Sequence, residues 1–548
     1  MTHLRCRSQL SLRKLKPGAA HPSHHRCLYL ILVSVFILNP LLLRAQQTPP
    51  HAPHVTFTAT LDFGRDQGQN FGSIFEATNQ NGHVVAGAGF MEVYNTRFRS
   101  ERQVVQFYIK PDTPQNSFSI RRQPHPKLGT GIYLFDHQSK LYAWTGIRGN
   151  SVRRWNAQGS NWQEAVPPGT SNLRSGDGIM HLAGGQLVMA NNTAEYNGEL
   201  ILTAPSQGSR YCYYYAAGHL FFYHTDRTEP KPFTKVFACP WTPDQESRID
   251  LSEAVVMDTK YIGETPFSWG QFQDQVLTVS NQGGIYVFSD NSWETLLEPD
   301  HTVSYQVYSM LNYYDRLLLA QYPSGNLFEY DGIKLTHRPD WPPKLPGVSS
   351  SAREAQTLAI YRGDLFVGVW PWAELWRYNH NEQEWHSMGR MFTHPEITDK
   401  QVHPYEAPAE QLGLVVNHWG QRVTGLVPLG ESLMISTSSK GTAEWRNTYR
   451  FLNEPQRQEY GSLLELRLPG NLAAQVKWTT EPTTLDFKVS SDQLTILQDG
   501  QEIATSQLPA SMLESLQGVT THWRRGIFGQ LKGRLLEHKF QIIQQNKQ

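Results

Sequence analysis

The densest run of residues able to do chemistry lies at 394–422 of a 548-residue chain. It holds His394-Pro395-Glu396, then His403-Pro404-Tyr405-Glu406, then Asn417-His418-Trp419-Gly420-Gln421-Arg422. Each His-Pro pair keeps the chain extended just before a carboxylate. Imidazole beside carboxylate suits a general base and its orienting partner, and it also suits a metal. Arg422 offers a planar fork that matches a carboxylate. In a lyase acting on a uronate polymer, His403 or His418 would be the base, Tyr405 the acid, and Arg422 the group that neutralises the carboxylate. The alternative is a proline-stiffened surface loop with solvated histidines. HExxH and its relatives are absent, so no metal is expected there.

A second cluster is Trp370-Pro371-Trp372-Ala373-Glu374-Leu375-Trp376. If exposed at the mouth of a larger scaffold, Trp370 and Trp372 would stack on sugar rings, with Trp419, His394, Glu396 and Glu406 completing a binding surface. If buried, the same tryptophans are packing. Residues 62–72 are rich in Asp, Asn and Gly but do not fit the EF-hand pattern, so they read as a polar loop. Arg97-Phe98-Arg99-Ser100-Glu101-Arg102 reads as a solvated basic hairpin. Asn191-Asn192-Thr193 is a formal glycosylation sequon. No nucleophile elbow, Walker loop or dinucleotide fingerprint occurs, and no cofactor is expected.

The elements that must carry these residues repeat. One unit is a short apolar strand, a tight polar turn, a second apolar strand, a Gly-containing turn, a third strand with aromatics, and often a trailing Trp. Leu358–Val369 with Glu374–Tyr378 and Trp385 is one copy. Others run over 308–331, 269–293 and 132–162, with weaker ones at 180–190, 213–223 and 426–466 and a further candidate at 82–108. The spacing is about 40–50 residues, the period of propeller blades. Each strand alternates with period two and has a face to bury, and radial stacking buries both faces of each sheet. The expected fold is all-β: a propeller of about seven blades, within six to eight, over 55–470. A run of meanders in a β-sandwich is the alternative. The pattern Gly363-Asp364-Leu365-Phe366-Val367 with Trp385 resembles kelch-type propeller repeats. That resemblance implies mainly a binding scaffold.

Beyond 470 the pattern changes to Leu485–Val489, Gln493–Leu497 and a final strand near His538–Ile543. Residues 471–548 therefore read as a small C-terminal β extension. It loosely resembles the late strands of laminin-G-like jelly rolls. The strand at 55–61 is placed either against this tail or in closure of the ring.

The first 46 residues read as a targeting segment. Basic residues Arg5 to Arg26 precede an apolar run from Cys27 to Leu43, broken by Pro40, and Ala45 suits cleavage. This points to a secreted or periplasmic protein, or to one held at a membrane if the segment is retained. Of four cysteines, only Cys212 and Cys239 lie beyond the leader. An exported chain with one such pair suggests a disulfide, and two buried thiols are the alternative. Lys+Arg and Asp+Glu are equal at 49 each, so no basic field exists to hold a nucleic acid. The reading is an exported binding protein for a polysaccharide or another exported protein. A polysaccharide lyase or hydrolase using 394–422 is the alternative.

Overall fold

The computed structural model describes residues 54–543, apart from 96–97, 112–117, 127–128, 146–150, 171–172, 174–176, 246–247 and 303–305. The leader, with Cys6, Cys27 and the cleavage site, lies outside these residues. Among them the chain forms nine sheets, seven of four strands and two of five.

The seven four-stranded sheets are the blades of a propeller. Their innermost strands are Ile132–His137, Gly178–Leu182, Ser209–Ala216, Pro266–Phe272, Gln306–Tyr313, Glu354–Tyr361 and Gln421–Leu429. Numbered in that order, the fourth to the seventh touch in sequence, and the seventh touches the first. Several first hairpins are two-residue turns in the left-handed region. Examples are Gln138-Ser139 (φ 50° and 57°), Ala217-Gly218 (50° and 70°) and Arg362-Gly363 (51° and 63°). Such turns match the twist of the flanking strands. They are the tight polar turns of the repeat.

The ring is closed by a strand from before blade 1. Ser119–Arg122 pairs with Leu463–Arg467 and becomes the outer strand of blade 7. Closure joins distant parts of the chain and removes an exposed edge.

The two five-stranded sheets form a β-sandwich. One has the order Gln501–Gln507, Gln493–Gln498, Thr483–Val489, His54–Asp62, Arg534–Ile543. The other runs Asn471–Gln475, Val104–Ile109, Val84–Phe90, Gly72–Thr78, Thr520–Trp523. Phe57, Phe75, Phe107 and Phe487 meet between them, with Phe57 and Phe75 stacked at 4.4 Å. The expected division at 55 and 470 thus meets a different pairing. The strands within 54–109 are not blade strands but four of the sandwich's ten. The C-terminal strands alone would be too small a core; pairing with the N-terminal ones completes both sheets.

The connection between the sandwich strands Val84–Phe90 and Val104–Ile109 runs into the propeller axis. Asn95 Nδ2 donates to Ser309 Oγ and to the Gln356 carbonyl, both at 2.9 Å. Arg99 N donates to the Leu134 carbonyl, and Tyr94 bridges to Met310. All four partners lie on innermost strands. The stretch expected as a solvated hairpin is therefore an axial plug, with Glu101 and Arg102 buried. A buried guanidinium needs a partner, and Arg102 has one in Asp66, from the polar loop of the sandwich. The two polar stretches complement each other, which neither shows alone.

Candidate functional site

Antiparallel blades present two faces. Innermost strands begin on one face and end on the other. The segment 394–422 connects blade 6 to the start of blade 7, so it lies on the face where they begin. The sandwich covers the opposite face.

The segment sorts its chemical groups into separate buried pairs. His394 Nδ1 lies 2.6 Å from Tyr405 Oη, and its Nε2 faces the Gln456 carbonyl and Glu459. His403 Nδ1 lies 2.8 Å from Glu406 Oε1, and its ring packs on Trp370. His418 rests on Trp419, with Gly441 so close that a side chain there would clash with the imidazole. Burial holds all three imidazoles below the ordinary histidine value. Arg422 points to Glu354, 3.4 Å away, and that carboxylate also meets Tyr308, Gln356 and Lys440. The fork is committed to an internal carboxylate. Trp370, Trp372 and Trp419 are 1%, 0% and 0% exposed. Their rings pack inside the structure and present no face to solvent. Glu396 is exposed at the rim.

The disulfide expectation is corrected. Cys212 and Cys239 are both thiols. They lie on the first and third strands of blade 3, with His219–Asp226 between them. Strands two apart are separated by roughly 10 Å, beyond the roughly 7 Å limit for a disulfide between Cα atoms. Burial pushes both thiols up to about 12.

A large cavity lies on the other face, between the ends of blades 4 to 6 and the sandwich. Its volume is about 1150 Å³. One wall comes from the blade turns. Tyr314 occupies the first hairpin of blade 5 with φ 51°, a conformation rare for an aromatic residue. Its ring sits 4.3 Å from that of His380, whose Nδ1 lies 3.2 Å from Tyr313 Oη. Trp341 packs against Tyr378 and Trp385 and carries the Arg338 guanidinium over its ring. The other wall is the run Trp523-Arg524-Arg525-Gly526 in the sandwich. Arg524 and Arg525 are exposed and, among the described residues, make no ion pair. Arg525 reaches only His522, at 3.4 Å.

At the cleft floor is Glu76. It accepts from Ile527 N at 2.8 Å and from Tyr108 Oη at 3.0 Å. Burial pushes its carboxyl up to about 7, against the opposing pull of these hydrogen bonds. Gly526 passes so close that any side chain there would strike Glu76.

Sequence reasoning passed over these residues. Tyr314 reads as a turn inside a repeat, and Trp523 to Gly526 fall in the tail. The one local signal was the pair of adjacent arginines before a glycine.

No family model matches the chain, and no curated protein matches it. Among solved structures it is similar to YCF48 bound to D1 peptide, at 14% identity over 49% of this chain and 98% of that one, TM-score 0.25. It is also similar to BamB from Moraxella catarrhalis, at 11% identity over 61% and 88%, TM-score 0.28. Apo AztD from Citrobacter koseri is a third, at 10% identity over 62% and 96%, TM-score 0.24.

Proposed function

We propose that this protein is an exported binding protein whose cleft between propeller and sandwich takes an acidic oligosaccharide. One observation carries the reading. Two guanidinium groups that have no carboxylate partner among the described residues, Arg524 and Arg525, face a cavity of about 1150 Å³ walled by Tyr314, Trp341 and Tyr378. Binding sites combine concave apolar walls with a few polar groups that fix orientation. Aromatic faces suit sugar rings, and guanidinium forks suit carboxylates or sulfates. The basic leader and apolar run support export. Titration calorimetry with uronate oligosaccharides, neutral oligosaccharides and acidic peptides tests this. Binding of the uronates alone, weakened by salt, is the expected result. Binding of acidic peptides alone would replace it with a protein partner.

A polysaccharide-active enzyme is the second reading, supported by Glu76. A carboxyl pushed up to about 7, beside Tyr314 in a cavity that His380 also lines, suits acid–base chemistry near neutrality. Incubation with uronate polymers, followed by assay for unsaturated or shortened products, decides between the two. Binding without product leaves the binding protein.

A further inference from the structure

A second group of titratable residues lies where the axial plug meets blades 1 to 3. It holds four carboxylates. Glu92 and Glu101 are on the plug, Asp136 is near the end of the innermost strand of blade 1, and Asp66 is on the polar loop. Two of the four have partners. Asp66 is paired with Arg102. Glu101 Oε2 faces His181 Nδ1 at 2.7 Å and His137 Nδ1 at 3.7 Å. Glu92 and Asp136 make no ion pair among the described residues.

Both of these remaining carboxyls are shut in. Asp136 is 6% exposed, and its Oδ1 accepts from the Glu101 N–H at 2.6 Å. Glu92 Oε1 accepts from Tyr214 Oη of blade 3 at 3.3 Å. Its Oε2 is buried without a hydrogen-bond partner. Both groups line one small cavity of about 40 Å³, together with Arg99, Glu101 and Arg102 of the plug and Tyr213 of blade 3.

The charges around them do not repay ionisation. Glu101 is a like charge beside Asp136. Around Glu92, the Arg102 guanidinium favours the charged form, and the carboxylates of Asp66 and Glu101 oppose it. Arg102 is already committed to Asp66. Arg99, the other cation on the cavity, lies over the Tyr94 ring and donates from Nη1 to the Phe98 carbonyl at 3.1 Å. Burial is the largest effect on both carboxyls, and it pushes Glu92 up to about 7 and Asp136 up to about 8. An unpaired carboxylate in a dry interior takes up a proton rather than keep its charge.

We propose that Glu92 and Asp136 make the plug a proton-operated latch, closed while both carboxyls are neutral and loosened when they ionise. The folded values lie above the ordinary 4.5 of a glutamate and 3.8 of an aspartate. The closed plug therefore holds these protons more tightly than an opened one. Its stabilisation is fully present below those ordinary values and is lost as pH rises through about 7 and about 8. The plug runs directly into two sandwich strands and carries Asn95, which holds blades 5 and 6. Loosening it would weaken the joint between sandwich and propeller. The latch is separate from the cleft.

Hydrogen exchange of the full chain, read by mass spectrometry at about pH 5 and about pH 8.5, tests this. Each rate is divided by the intrinsic rate at that pH. Protection of the plug amides at 98–104 should fall by at least about tenfold at the higher pH. Protection of the blade 6 strand Asp364–Trp370 should hold. The double variant Glu92→Gln with Asp136→Asn keeps an acceptor at each position and cannot ionise. Its plug should stay protected at both pH values. Glu76→Gln, in the cleft, should lose plug protection as the wild type does. If the double variant fails to fold, each single variant should recover part of the loss, and recovery in neither would overturn the proposal. Unchanged plug protection in the wild type would also overturn it. So would an equal loss in blade 6, which is global unfolding, or an equal loss in the double variant.

Discussion

Asn95, on a loop of the sandwich, hydrogen-bonds to the Gln356 carbonyl in blade 6, 261 positions further along the chain. The same amide donates to Ser309 in blade 5. One side chain therefore joins the plug to two blades at the propeller axis. Asn95→Leu keeps the volume and loses both bonds. We expect it to lower unfolding stability by about 1–3 kcal/mol, read by urea denaturation, with little change in cleft binding.

Arg102 and Asp66 form a buried ion pair between plug and polar loop. Arg102→Met should cost about 3–5 kcal/mol, because Asp66 is left charged and buried. Adding Asp66→Leu should recover part of that loss. Equal stability of the single and double variants would show that the charge is not what matters there.

Glu76 gives stability a pH dependence of known sign. Its folded value, about 7, lies above the ordinary 4.5 because of burial. The folded state therefore holds the proton more tightly than the unfolded chain. Its contribution is fully present below about 4.5 and is lost as pH rises to about 7. Glu76→Gln removes that loss. The variant should gain up to about 3 kcal/mol on wild type at pH 8 relative to pH 4, measured by denaturation at both values. An equal difference at the two pH values would contradict the assignment.

Within the cleft, Arg524→Ala and Arg525→Ala should each weaken uronate binding by about tenfold, with the remaining affinity less sensitive to salt. Trp341→Ala should weaken it as well, through the lost wall. His403→Ala, on the opposite face, should leave it unchanged. Calorimetry on the four variants reads all of these.

Cys212 and Cys239 should both be alkylated after denaturation without reductant, and mass mapping should place the label on each. In the native protein they should react slowly, because burial pushes both thiols up to about 12. A reductant-cleavable link between their peptides would contradict the strand positions.

The repeat was legible because each blade is local. A strand such as Glu354–Tyr361 meets its partner Asp364–Trp370 across two residues, so alternation and turn chemistry are written in adjacent positions. The sandwich was not legible in the same way. His54–Asp62 pairs with Thr483–Val489, more than 400 positions away, and no local pattern carries that register. Trp370 and Trp372 show the same limit at a site. Their types fit both a sugar platform and a core, and only the packing of the two neighbouring blades decides for the core.

By itself the sequence determined an all-β chain of about seven blade units, a changed C-terminal segment, and no nucleotide or nucleic-acid motif. These follow from period, composition and charge, which are properties of neighbouring residues. Only the tertiary structure decided that the first strands join the last ones, that Arg99 to Arg102 plug the axis, and that Arg524 faces Tyr314 across a cleft. Those relationships depend on loop closure over hundreds of residues. Their energy comes from burial and pairing between surfaces that no stretch of sequence contains together.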